Sequence, residues 1–114
     1  MTDFAKKKCK PCEGGVRPLS LADSKNFMKS IPDWRPVDSG KAIERQWVMK
    51  DFKAAISLMN AIAQVAEKEG HHPDIHLTGY KHLTIELSTH AIGGLSENDF
   101  ISAAKIDKIP MLSS

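Results

Sequence analysis

"DFKAAISLMNAIAQVAEKEGHHPDIHLTGYKHLTIELSTH", residues 51–90, sets two periodicities side by side. In its first half Phe52, Ala55, Ile56, Met59, Ile62, Ala63 and Ala66 recur every three or four residues, which is one face of an α-helix and predicts a core stripe. Asp51 is placed to cap the N-terminus, and Gly70 to end the helix in a conformation that costs glycine little. In the second half the period changes to two. Over 82–88 Leu83, Ile85 and Leu87 point one way, and His82, Thr84, Glu86 and Ser88 the other. Residues 74–78 read as the preceding strand, with Gly79 at the connection.

Working outward, residues 34–37 and 42–49 form a second hairpin around Asp38-Ser39-Gly40. Pro36 cannot donate to a neighbour, so the first strand belongs at an edge. Ile43, Trp47 and Met49 share one side with Arg45, and Ala42, Glu44, Gln46 and Val48 share the other. A helix begins after Leu19, capped by Ser20 with Asp23 three residues on, turns Phe27, Met28 and Ile31 inward, and ends before Pro32. A last helix starts near Ser96 with Asn98 or Asp99 in its first turn, carries Phe100, Ile101, Ala104 and Ile106, and ends before Pro110. The order α-β-β-α-β-β-α, with short hairpins and one-sided helices, predicts an α+β fold: a four-stranded antiparallel sheet with three helices packed on one face.

The totals fit one globular domain: 114 residues, 41% hydrophobic and 26% charged. A net charge of +2 is too small to argue for direct nucleic-acid binding or an anionic membrane. No apolar run approaches the roughly 20 residues that span a bilayer. The start, MTDFAKKKCKPC, has no apolar stretch after its lysines and so does not read as a signal peptide, which leaves a cytoplasmic location as the expectation. Residues 1–18 read as a flexible leader in which lysines, Gly14-Gly15 and two prolines leave little to bury, residues 19–110 as the domain, and 111–114 as a tail. Cys9 and Cys12 form a lone CxxC in that leader. Zinc usually wants four ligands and no second pair exists, and no strand-helix unit precedes the motif as a redox reading would need. Two reduced thiols in a loose arm is the plainer reading, although a second subunit could complete a metal site.

All five histidines, His71, His72, His76, His82 and His90, lie within residues 71–90. Pro73 disfavours helical backbone at His72, so the pair leaves the long helix in extended chain and its two side chains diverge. They therefore serve different ends. Glu67 precedes His71 by four residues, where its carboxylate can bond an imidazole nitrogen, fix the tautomer and favour the imidazolium. His90 arrives from the end of the last strand. If the strands at 74–78 and 82–88 form a hairpin after the long helix, these exits meet at one mouth, a constellation for proton transfer without a nucleophile. His76 and His82 read as surface residues. Three histidines can also hold zinc, but adjacent side chains in extended chain are poorly placed for one ion.

"AEKEGHHPD" followed by "YKHLTIELSTHAIGGLSENDFISAA" resembles the pterin-4a-carbinolamine dehydratases in Glu67, His71, His72, Pro73, Thr89, His90, Gly94, Leu95, Ser96 and Asp99. Upstream, "IPDWRPV" and "KDFKAAISLMNAIAQVAE" look like that family's Trp-bearing first strand and central helix, so the resemblance spans about residues 19–108. It implies the same α+β fold, and homodimers or homotetramers joined partly through sheet edges. It implies dehydration of 4a-hydroxytetrahydrobiopterin to quinonoid dihydropterin, recycling the cofactor of an aromatic amino acid hydroxylase, with no metal, nucleophile or redox cofactor required. By the family's pattern the catalytic set is His71, His72, His90 and Glu67: His71 and His90 as general acids and bases toward the hydroxyl, His72 mainly binding the pterin, Glu67 orienting and polarising His71. Trp34, Asp99 and Thr89 join His72 as substrate-binding residues, with a core place for Trp34 and a capping place for Asp99 equally open. The pattern is broken at Gly70, where the family is often acidic, and by a hairpin one residue longer. Relatives also imply other readings: a non-catalytic pterin-binding or dimerisation cofactor of a transcription factor, or a role in another pterin pathway such as molybdopterin metabolism.

Overall fold

In the computed structural model residues 3–9 and 18–110 are described. The chain runs through α1 (Leu21–Met28), β1 (Arg35–Val37), β2 (Ala42–Val48), α2 (Phe52–Glu69), β3 (Asp74–Thr78), β4 (His82–Leu87) and α3 (Glu97–Asp107). Short 3-10 turns lie at Phe4–Lys6, Asp38–Gly40 and His90–Ile92. The strands form one antiparallel sheet in the order β1-β2-β4-β3, so the two hairpins are joined through β2 and β4. This is the expected α+β fold.

Local chemistry sets the element ends. The Asp51 carboxylate accepts from the Ala54 amide at 2.7 Å, and Ser20 Oγ accepts from the Asp23 amide at 3.1 Å. Gly70 ends α2 at φ 66°, a left-handed conformation that a β-carbon would penalise. Register then places apolar residues opposite one another, Ile43 with Leu87 and Trp47 with Leu83, with the Arg45–Ile85 pair between them. Leu83, Ile85 and Leu87 are fully buried beneath the helices together with Ile43, Ile62 and Phe100.

Two expectations need correction. The inward stripe of α2 is Ala55, Leu58, Ile62 and Ala66, while Phe52 is 54% exposed and Ala63 faces out. Two apolar rows run side by side along this helix, and periodicity cannot say which one the sheet covers. The second correction concerns the leader. Phe4 is 1% exposed, stacked edge-on against Phe27 at 5.1 Å and tilted against Phe100 at 5.8 Å. Residues 3–9 therefore belong to the packed domain. One aromatic side chain is enough to hold a polar segment, because burying it contributes about 1.5–3 kcal/mol. Cys12 and the rest of residues 10–17, like 1–2 and 111–114, lie outside the described residues. Among those described, no helix is long and apolar enough to cross a membrane.

Candidate active site

Three chain segments meet at one end of the sheet. The first is the exit of α2, where the left-handed Gly70 turns the chain and the His71 amide still donates to Ala66 O at 3.2 Å. The second is the segment after β4, in which Thr89 bridges Gly94 across the short turn that carries His90. The third is the N-terminus of α3, capped by Ser96. Between them lies a cleft of about 630 Å³, whose lining includes Glu67, His71, His72, Thr89 and His90.

Asp99 organises the inner side. Its side chain is 0% exposed. Oδ1 meets His71 Nε2 at 2.6 Å, and Oδ2 accepts from Thr89 Oγ1 at 2.8 Å and from the Ser96 amide at 3.0 Å. Thr89 Oγ1 also lies 2.7 Å from Ser96 Oγ. A buried carboxylate is costly unless its oxygens are bonded, and here both are. The Ser96–Asp99 capping box that starts α3 thus doubles as the mount for an imidazole. A carboxylate only accepts, so the proton facing it sits on His71 Nε2 and leaves Nδ1 as the nitrogen free to exchange one.

The outer pair is different. His72 Nε2 lies 2.5 Å from Glu67 Oε2, and the two side chains are 64% and 76% exposed. The carboxylate expected to orient His71 therefore holds His72, and that of His71 comes from α3. A spacing of four brings two side chains together only where helical backbone runs through both. Gly70 ends the helix one residue short of His71 and sends His71 inward and His72 outward. His90 is exposed on the cleft lining. His76 and His82 are exposed on β3 and β4 and do not line the cleft.

Trp34 does not reach the cleft. Its ring is buried against Trp47 at 6.2 Å, and Nε1 donates to Asp107 Oδ1 at 2.9 Å, at the opposite end of α3 from Asp99. The expectation that Trp34 binds substrate gives way to its core alternative. Arg45 joins the same anchor, donating to Asp107 Oδ1 at 2.5 Å.

Sequence reasoning missed Glu69 and left Cys9 in a loose arm. Both line the cleft. The Glu69 side chain is 4% exposed; Oε2 accepts from Lys105 Nζ at 2.8 Å and Oε1 from the Cys9 amide at 3.0 Å. Burial alone raises the Glu69 carboxyl, but the Lys105 ammonium and the Cys9 amide outweigh it and hold the group below its ordinary 4.5. Burial pushes the Cys9 thiol above its ordinary 9.0, against the hydrogen bond to Ser102. No local signal joins these residues, since Cys9, Glu69 and Lys105 are far apart in the chain. Among the described residues no three His, Cys, Asp or Glu side chains converge as a metal ion requires.

Known proteins resemble this chain in sequence and fold. Residues 17–109 match the family model described as pterin 4 alpha carbinolamine dehydratase. A protein of Nitrosomonas eutropha, whose name provisionally gives it that activity, is 45% identical over 108 residues, covering 94% of this chain and 93% of its own length. Pterin-4-alpha-carbinolamine dehydratase 2, mitochondrial, of Arabidopsis thaliana is 38% identical, covering 96% of this chain and 60% of that longer protein. A crystal structure of a transcriptional coactivator/pterin dehydratase from Brucella melitensis superposes with a TM-score of 0.73 at 31% identity, covering 80% of this chain and 96% of that one. A RuBisCO assembly factor of the alpha-carboxysome, at 22% identity and a TM-score of 0.58, shares the fold. By the family match and by this identity over nearly its whole length, the chain belongs to the pterin 4 alpha carbinolamine dehydratase family.

Proposed function

We propose that the protein dehydrates 4a-hydroxytetrahydrobiopterin to quinonoid dihydropterin and water. In this reaction the bond from C4a to the hydroxyl oxygen breaks, the departing oxygen gains a proton, N5 loses one, and a C4a–N5 double bond forms. Only proton carriers in fixed positions are needed. His71 and His90 exchange those protons. His72 binds the pterin, held by Glu67. Asp99, fully buried, acts through the His71 ring that it fixes, and Thr89 joins the same network from the cleft lining.

The observation that carries this reading is the convergence of His71 and His90 on one cleft, with His71 bonded to a fully buried carboxylate. Family membership and the relatives' names support the same chemistry. The substrate on this reading comes from an aromatic amino acid hydroxylase, and the protein works as a homo-oligomer in the cytoplasm. The test is the rate of carbinolamine decay in a coupled hydroxylase assay. Purified protein should accelerate it, and His71→Ala or His90→Ala should each lower kcat about 10²- to 10⁴-fold. Full activity in the double variant rejects the assignment.

The name of the Brucella relative motivates one second reading, a coactivator-like binding protein. It predicts a transcription-factor partner in a pull-down and no acceleration in the coupled assay. A role in another pterin pathway predicts acceleration with a different pterin in place of the biopterin.

A further inference from the structure

Residues 3–9 lie before the stretch matched by the family, yet they reach the cleft. This arm is fastened at three points. Phe4 is buried between Phe27 and Phe100, Lys7 Nζ meets Glu97 Oε1 at 2.6 Å, and the Cys9 amide donates to Glu69 at 3.0 Å. The first two anchors hold the arm to α1 and α3. The third brings its end to the cleft, where Cys9 Sγ sits 3.5 Å from Ser102 Oγ and 3.6 Å from Asn98 O. Glu69 is the keystone: a nearly buried carboxylate two residues before His71, bonded on one oxygen to the arm and on the other to Lys105 of α3.

We propose that Glu69 is a positioning residue for the dehydratase, holding residues 3–9 in place as one wall of the pterin cleft. The inference rests on the pterin reading above. A flat bicyclic ligand gains by having water removed from its edges and faces, and a wall that touches bound substrate and transition state alike lowers KM without altering kcat. Neither Glu69 nor the arm touches the reacting atoms in this scheme.

Three variants test it. Glu69→Gln keeps an acceptor for the arm but leaves Lys105 without its charged partner. Cys9→Pro removes the amide donor and leaves the Glu69–Lys105 pair intact. Lys53→Ala, an exposed change on α2 away from the cleft, serves as the control. In the coupled assay Cys9→Pro should raise KM roughly tenfold, the equivalent of one hydrogen bond to a charged group, and Glu69→Gln, which keeps only a neutral acceptor, a few-fold, with kcat within about twofold in both. Lys53→Ala should stay near the parent. A general loss of stability would lower the active fraction and hence kcat, not KM. An unchanged KM in both folded variants overturns the proposal.

A second readout needs no turnover. Lys6, Lys7 and Lys8 are exposed on the arm, so trypsin reports its docking. 7,8-Dihydrobiopterin should slow cutting there in the unmodified protein, and Glu69→Gln should speed it. An inactive protein whose arm the pterin still protects retires the dehydratase reading and keeps the wall. An active protein whose arm is cut equally fast with and without the pterin overturns the wall and keeps the dehydratase.

Discussion

The two histidine–carboxylate pairs of the cleft have similar geometry and opposite surroundings. His71 meets Asp99 at 2.6 Å with the carboxylate fully buried; His72 meets Glu67 at 2.5 Å with both side chains mostly in water. The distances do not distinguish them. What does is the number of other groups that depend on each carboxylate. Asp99 also serves Thr89 and the Ser96 amide, so it fixes a helix start, a strand exit and an imidazole at once. Glu67 serves one exposed ring. In water an ion pair of this kind contributes about 0–1 kcal/mol, because screening and side-chain entropy offset the attraction. A buried carboxylate with several donors cannot be removed without stranding them.

The sharpest way to break the comparison is Asp99→Ala. It should cost about 3 kcal/mol of stability, combining a lost helix cap with hydrogen bonds to a charged group. It should also lower kcat as His71→Ala does. Urea unfolding and the coupled assay measure the two effects. A stable and fully active variant would mean that the buried pair matters no more than the exposed one.

Next in size is Trp34→Phe, which tests whether the cleft extends to that end of α3. It removes the donor to Asp107 and trims the buried indole to a single ring. We expect about 2 kcal/mol of destabilisation, from the lost hydrogen bond and the space left behind, and an unchanged KM. A large rise in KM would return Trp34 to the site.

Acid titration sharpens the contrast on the cleft floor. Glu69 titrates below its ordinary 4.5 in the folded chain, because the Lys105 ammonium and the Cys9 amide outweigh the effect of burial. The stability that this lends is fully present above 4.5 and is lost as pH falls through the folded value. Unfolding measured from pH 6 down to pH 3 should show an acid-side slope that Glu69→Gln reduces. At the alkaline side Cys9 has the opposite sign. Its raised thiol contributes below 9.0 and ceases to contribute as pH rises through the folded value, so Cys9→Ala should flatten that limb.

The smallest expected effect is that of Glu67→Gln. Stability should change by less than about 0.5 kcal/mol, since the pair is exposed. If Glu67 only steadies His72 as a pterin ligand, KM should rise a few-fold with kcat little changed. A loss of kcat matching that of Asp99→Ala would place Glu67 in the proton transfers themselves.

Much of the fold was legible because its signals are local. The Asp51 cap, the Gly70 stop, the alternation through Leu83, Ile85 and Leu87, and the edge position forced by Pro36 each depend on residues within a turn or a strand. The clustering of the histidines was legible too, since Pro73 and the strand end fix where His71, His72 and His90 leave their elements. The choice of partners was not. Counting four residues back from His71 led to Glu67, while the structure supplies Asp99, 28 residues further on. The helical period allowed two apolar rows on α2, and only the seat of the helix on the sheet selects Leu58 over Phe52. Composition made the first residues look unanchored, whereas Phe4 fills a space built by α1 and α3.

The amino-acid order by itself determined the elements, their ends and which end of the sheet collects the imidazoles, because caps, turns and periodicity act over a few bonds. Tertiary structure alone decided which carboxylate faces which ring, that Trp34 anchors Asp107 instead of lining a cleft, and that Glu69 joins the arm to Lys105. Except for Glu67 and His72, those pairings link positions 28 or more residues apart. Packing selects them, by bringing donors and acceptors together where water cannot take their place.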